Sequence, residues 1–101
     1  MSNVIIGEDC LVAEAVIRSS DMHPLFDASS GERLNPSKSV HIGDRVWLGQ
    51  ECFITKGVKI SSDSVISARA VVTKIFSQPN VVIAGNPAKV VRENIVWHKK
   101  L

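Results

Sequence analysis

The sequence has no tyrosine, and its aromatic residues are only two Trp and three Phe among 101 residues. A core built from large rings is therefore excluded. Val and Ile must fill it, and β-branched side chains favour strands. No run of about 18 apolar residues is present, so nothing reads as a membrane span. The first ten residues, MSNVIIGEDC, carry acids where a secretory signal would carry a basic and then an apolar stretch. Two cysteines, Cys10 and Cys52, do not make a disulfide framework. Reduced thiols in a cytoplasmic protein are the resulting expectation. The formal charge of +2 is too small to argue for nucleic acid.

The length is room for one domain, taken as residues 1–101. A domain of this size buries only about 60–70% of its unfolded surface, so extra stabilisation is to be sought. The charge is unevenly placed. Residues 1–35 hold six acids and two bases, whereas residues 36–101 hold four acids and ten bases. The basic second part suits a small anionic ligand as well as it suits solubility.

What the chain does have is a period of six. Ile6, Val12, Ile42, Leu48, Ile54, Ile60, Ile66 and Val72 all fall on it. Neither a helical period nor strand alternation produces this spacing. The next position is small or turn-forming: Gly7, Ala13, Gly43, Gly49, Thr55, Ser61, Ser67 and Thr73. Four residues after each aliphatic come Cys10, Val16, Val46, Cys52, Val58, Ser64 and Ala70. The physical reading is a short strand and a turn per hexad. The aliphatic points inward, and the small residue lets the chain change direction. Successive turns stack because one layer cannot bury its own face. In that scheme Cys10 and Cys52 are packing thiols at inward positions.

The pattern fails between Arg18 and Asn35, in RSSDMHPLFDASSGERLN. Pro, Gly, Ser and charge mark a loop, here about residues 18–35. From Arg18 to Pro36 is 18 residues, so the phase survives the interruption. His23 stands between Met22 and Pro24, and the proline restricts its backbone. Imidazole as a class titrates near neutrality, which suits general-base work. The alternative is a solvated loop histidine.

The runs SSDMHPLFD, GERLN, VHIGDRVWLGQ, SVISARAVVTK and VVIAGNPAKVVREN together resemble the hexapeptide-repeat O-acetyltransferases, maltose and galactoside acetyltransferases among them. The resemblance covers about residues 4 to 98, and GERLN and NIVW are closer to the polysaccharide and lipopolysaccharide branch. It implies an all-β, left-handed parallel β-helix of hexapeptide repeats, three hexads to a triangular coil, with a projecting loop and a short C-terminal helix at about 87–99. The left hand is the family's, since the general crossover rule favours the right-handed form.

The resemblance also implies a chemistry. Acetyl-CoA donates, a sugar hydroxyl attacks, and His23 is the general base, because a bare hydroxyl is a poor nucleophile without one. Asp21, Asp27 and Glu32 are candidates to orient it, Asp21 foremost. On the donor side Trp47 matches a residue near the cleft. Ala68 and Ala70 match small positions along the pantetheine arm, and Thr73 and Lys74 lie beside that arm. Lys89 and Arg92 match cations that meet CoA phosphates. No metal is expected, and the implied assembly is a homotrimer acting on a sugar or polysaccharide precursor.

The chain departs from the family in three places. The usual glycine is Arg69 in SARA, the external turn after Thr73 reads Lys74-Ile75-Phe76-Ser77, and Met1 is only five residues from Ile6. That short front keeps a second function open, an inactive β-helical fragment or structural module. A third is a metal-dependent lyase of the gamma carbonic anhydrase type. It would use His23 and His41, 18 residues apart, but needs a third converging ring, for which only His98 remains.

Overall fold

The computed structural model describes residues 2–101, and its regular elements are all strands. The first coil contributes β1 (Val4–Ile6), β2 (Leu11–Val12) and β3 (Val16–Ile17). After the loop come β4 (Val40–Ile42), β5 (Trp47–Leu48) and β6 (Phe53–Ile54), then β7 (Lys59–Ile60), β8 (Val65–Ile66) and β9 (Val71–Val72). β10 (Val82–Gly85) and β11 (Ala88–Arg92) close the stack. Parallel pairing, with β11 added antiparallel at the end of one sheet, makes three faces, ordered β1-β4-β7, β2-β5-β8-β10-β11 and β3-β6-β9.

The six-residue rule sets the interior. Ile42, Leu48, Ile54, Ile60, Ile66 and Val72 are buried, and so are Val46, Cys52, Val58, Ser64 and Ala70 between them. Backbone bonds tie each coil to the next, as in Gly43 N–H to Ile60 O at 2.8 Å and Gly49 N–H to Ile66 O at 2.7 Å. Ile6 pairs with Ile42 across the loop, so the repeat is back in phase after the projection.

Three expectations are corrected by the structure. First, the repeat slips in coil one. Val12 pairs with Leu48, but Ile17 pairs with Ile54, so one residue is missing from the intervening corner. Ala15 and Ile17 therefore pack against the core, and Val16 faces out. Second, the small residue after each aliphatic is needed for close coil approach, not for its own backbone freedom. A Cβ on Gly43 would lie 2.7 Å from the Ser62 backbone nitrogen. The left-handed corner residue comes later and is charged: Asp9, Arg45 and Asp63 at one corner, Glu14, Glu51 and Arg69 at another. Arg69 thus stands at φ 61°, the conformation that a glycine adopts without steric cost.

Third, residues 87–99 form no helix. Ala88–Arg92 is β11, antiparallel to β10, with Ala84 opposite Lys89 and Gly85 opposite Ala88. β10 leaves an open strand edge whose backbone groups need partners, and AKVVR carries adjacent β-branched residues that fit that edge. The rest of the tail runs back down the corner. Ile95 N–H donates to Asn80 O at 3.0 Å, and Asn80 Nδ2 donates to Ile95 O at 3.1 Å. Trp97 Nε1 donates to Arg45 O at 2.8 Å. At the opposite end Val4, Ile5, Ile6, Leu11 and Val12 stay exposed on the first coil.

Candidate functional site

The projecting loop is held at its base and along its length. Lys38 N–H donates to Ser19 O at 2.9 Å, closing the base, and Phe26 bridges Arg33 in antiparallel fashion. The Asp27 carboxylate accepts the Ser29 and Ser30 N–H groups at 2.9 and 2.8 Å, an Asx-type cap of the loop tip. Those bonds favour its charged form and lower its pKa. Asn35 is buried beneath the histidine, with Nδ2 donating to His23 O at 2.9 Å and Oδ1 accepting Leu25 N–H at 2.6 Å. His23 itself is exposed.

Asp21 does not orient His23 within the chain. Its Oδ2 accepts from Lys56 Nζ at 2.7 Å. Lys56 projects from the corner after β6 and also donates to Pro36 O at 3.1 Å, so it ties both arms of the loop to the second coil. An adjacent cation outcompetes a neutral imidazole for a carboxylate. The Lys56 bond, then Asn35, hold the Asp21 carboxyl below its ordinary range. The sequence offers little warning of this network, because an Asn between Leu34 and Pro36 reads as loop composition.

The second feature lies on the β2-β5-β8 face. Trp47 and Ala68 line a groove of about 530 Å³ together with Ala13, Gly49, Gln50 and Ser67. Trp47 is 40% exposed and tilts against Trp97, with ring centroids 6.0 Å apart. Ala70 does not belong to the groove. It is 1% exposed and occupies an inward hexad position, so it packs the core. Thr73 and Lys74 are exposed beyond β9, and Lys74 Nζ stands 5.4 Å from the Phe76 ring centroid. β11, which carries Lys89 and Arg92, packs against β9 and brings these cations to the same end.

His23 lines neither the Trp47 groove nor the recess at the loop base. His41 faces out on β4 and His98 sits in the tail, in separate recesses. Among the described residues no group of three or more His, Cys, Asp or Glu could hold a metal ion, and no helix is long and apolar enough to cross a membrane.

No family model matches the chain. Individual proteins do. It is 48% identical over 99 residues to a polysialic acid O-acetyltransferase of Neisseria meningitidis, covering 97% of this chain and 46% of that protein. It is 44% identical over 97 residues to the polysialic acid O-acetyltransferase of Escherichia coli O1:K1, covering 94% and 31%. A solved polysialic acid O-acetyltransferase structure superposes with a TM-score of 0.93 at 48% identity, over 97% of this chain and 47% of that one. Galactoside acetyltransferase in complex with coenzyme A gives 0.72 at 34%, over 89% and 44%. The chain thus spans less than half the length of each of these proteins.

Proposed function

The chain belongs to the hexapeptide-repeat O-acetyltransferases, whose coil is a left-handed parallel β-helix, and from that membership we propose that it transfers acetyl from acetyl-CoA to a hydroxyl of a polysaccharide sugar, with His23 as general base. The observation that supports His23 most directly is its placement: an exposed imidazole on a loop whose backbone is fixed by a buried Asn35. His23 accepts the hydroxyl proton as the oxygen attacks the thioester carbonyl. A C–O bond forms, the C–S bond breaks, and the departing CoA sulfur takes the proton from the imidazolium. The Trp47–Ala68 groove holds the pantetheine arm. Thr73 and Lys74 flank it, and Lys89 and Arg92 meet the phosphates.

The same proposal includes a homotrimer. His23 and the groove are not joined in one chain, so the loop of one copy would complete the groove of the next. An outward apolar column supports such packing: Leu11, Trp47 and Val65 on one face. Cytoplasmic location is also proposed, on the two free thiols. The alternative reading is an inactive β-helical module. Coenzyme A release in the presence of candidate sugars tests both. Release by the wild type and none by His23→Ala, with acetyl-CoA binding retained, supports the base. Equal release by both rejects it, and no release by either supports the module. Sedimentation velocity tests the trimer, which a monomeric active species would overturn.

A further inference from the structure

A recess of about 340 Å³ opens where the loop leaves the coil, bounded by Arg18, Ser20, Asp21, Phe53, Thr55 and Lys56. It is distinct from the Trp47 groove. We propose that this recess binds the carboxylate of an acidic acceptor sugar, with Arg18 as the recognising group. The proposal rests on the acetyl-transfer reading above and adds the acceptor's charge and its place of attachment.

Two cations, Arg18 and Lys56, and one carboxylate, Asp21, line the recess. Lys56 is committed to Asp21 and to the Pro36 carbonyl. Arg18 has no ion-pair partner among the described residues. Its guanidinium carbon lies 5.8 Å from the Phe53 ring centroid. An aromatic face holds a guanidinium in place and leaves its N–H groups free to donate. That fork matches a carboxylate, in two parallel charge-assisted bonds. Ser20 Oγ accepts Met22 N–H at 3.3 Å, which leaves its own O–H to donate to a ligand. The volume is at the low end for ligand pockets and suits one sugar unit.

Position ties the recess to the chemistry. Met22 also lines it, and His23 is the next residue, one Cα step of about 3.8 Å along the chain. A sugar anchored by its carboxylate at Arg18 lies at the foot of the loop that carries the base. A neutral sugar offers the Arg18 fork no charged partner.

The test compares polysialic acid with the same polymer after its carboxylates are converted to amides. For Arg18→Gln the KM for polysialic acid rises about tenfold, while the KM for the amidated polymer and for acetyl-CoA stays within about twofold of wild type. Arg18→Lys, which keeps the charge without the fork, falls between. An equal rise for both polymers, or no rise for polysialic acid, overturns the site. A rise confined to acetyl-CoA assigns Arg18 to a CoA phosphate and overturns it too. If the wild type acetylates no polymer, the acetyl-transfer reading fails. Calorimetric titration of the two proteins with polysialic acid then decides the site alone: binding lost in Arg18→Gln supports it, and equal binding or none to either overturns it.

Discussion

The side chain of Asn35 spans the peptide on either side of Pro24, donating to His23 O at 2.9 Å and accepting Leu25 N–H at 2.6 Å. Proline has no N–H to offer, so one carboxamide fixes both flanks of the residue that follows the histidine. At 5% exposure Asn35 is shielded from water that could replace these bonds. Asn35→Ala takes the partner from a part-buried carbonyl and a part-buried N–H, a loss of about 0.5–1.5 kcal/mol for each bond. The expected result is a kcat lowered at least about tenfold, since a displaced base loses its alignment, with the acetyl-CoA KM unchanged. Thermal unfolding and steady-state kinetics check it together. A destabilised variant with wild-type kcat would assign Asn35 to folding alone.

The Lys56–Asp21 tie predicts how the loop responds to acid. The Asp21 pKa is lowered from its ordinary 3.8, chiefly by Lys56 and then Asn35. A carboxylate lowered in the folded state stabilises fully above its ordinary value. That stabilisation is lost as pH falls through the lower folded value. The loop therefore stays tied down from neutrality to about pH 4 and loosens only below it. Leu25 and Phe26 are exposed sites for pepsin within the loop. Cleavage there, normalised to an unstructured peptide at each pH, should rise on acidification below that point. Asp21→Asn should be cut readily throughout. A wild-type loop opening already at pH 6 would disprove the assignment.

How much of this was legible in the sequence follows from which residues obey a local rule. Ile42 to Val72 declare the coil because every coil repeats the same inward demand at one spacing. The slip at Ala15 was hidden because Val16 satisfies the six-residue count as well as the true inward residue does. Ala88–Arg92 reads as helix in the sequence because its partner, the free edge of β10, is a tertiary fact. Asp21 reads as a partner of the nearer His23 because Lys56 is 35 residues away in the chain and reaches it only through coil stacking. The exposed His23, Trp47 and Ala68 stand out as candidates through whole-motif resemblance. Asn35 and Arg18 do not, since their meaning lies in a neighbour's backbone or ring.

Trp47 and Trp97 are the only tryptophans, so fluorescence reports directly on the groove. Trp97 is anchored through Nε1 to Arg45 O and tilts against Trp47. Trp97→Phe removes that anchor and leaves Trp47 as the single emitter. Acetyl-CoA should then quench the remaining emission in a saturable way. In Trp47→Phe the remaining Trp97 emission should respond weakly, and donor affinity should fall about tenfold. Undiminished affinity in Trp47→Phe would remove Trp47 from the donor site.

Gly43→Ala and Gly31→Ala should behave differently for opposite reasons. At Gly43 the new methyl would meet the Ser62 backbone nitrogen at 2.7 Å and its Oγ at the same distance, so two coils must part. Overpacking of this kind costs about 1–3 kcal/mol. At Gly31 nothing lies within 4 Å, and only the φ of 75° opposes the substitution, a cost of about 1 kcal/mol. Urea unfolding should therefore show the larger midpoint shift for Gly43→Ala. The reverse order would contradict the coil spacing.

Ala68 and Ala70 are two residues apart and both match small positions along the pantetheine arm in the resemblance, yet only Ala68 lines the groove. Ala68 is exposed in the groove with Trp47. Ala70 is buried in the same core as Val46, Cys52 and Val58, in the inward series of the hexads. A leucine at each position separates binding from packing. Ala70→Leu adds three carbons to a closed interior and should lose about 1–3 kcal/mol of stability. Whatever fraction stays folded should bind acetyl-CoA normally. Ala68→Leu projects into open space, so its unfolding midpoint should match wild type. Its side chain occupies the groove, and the acetyl-CoA KM should rise at least about tenfold. Stability measured by urea and donor affinity measured by Trp47 quenching should thus respond to different variants. If Ala68→Leu binds the donor as wild type does, the donor does not run along this groove.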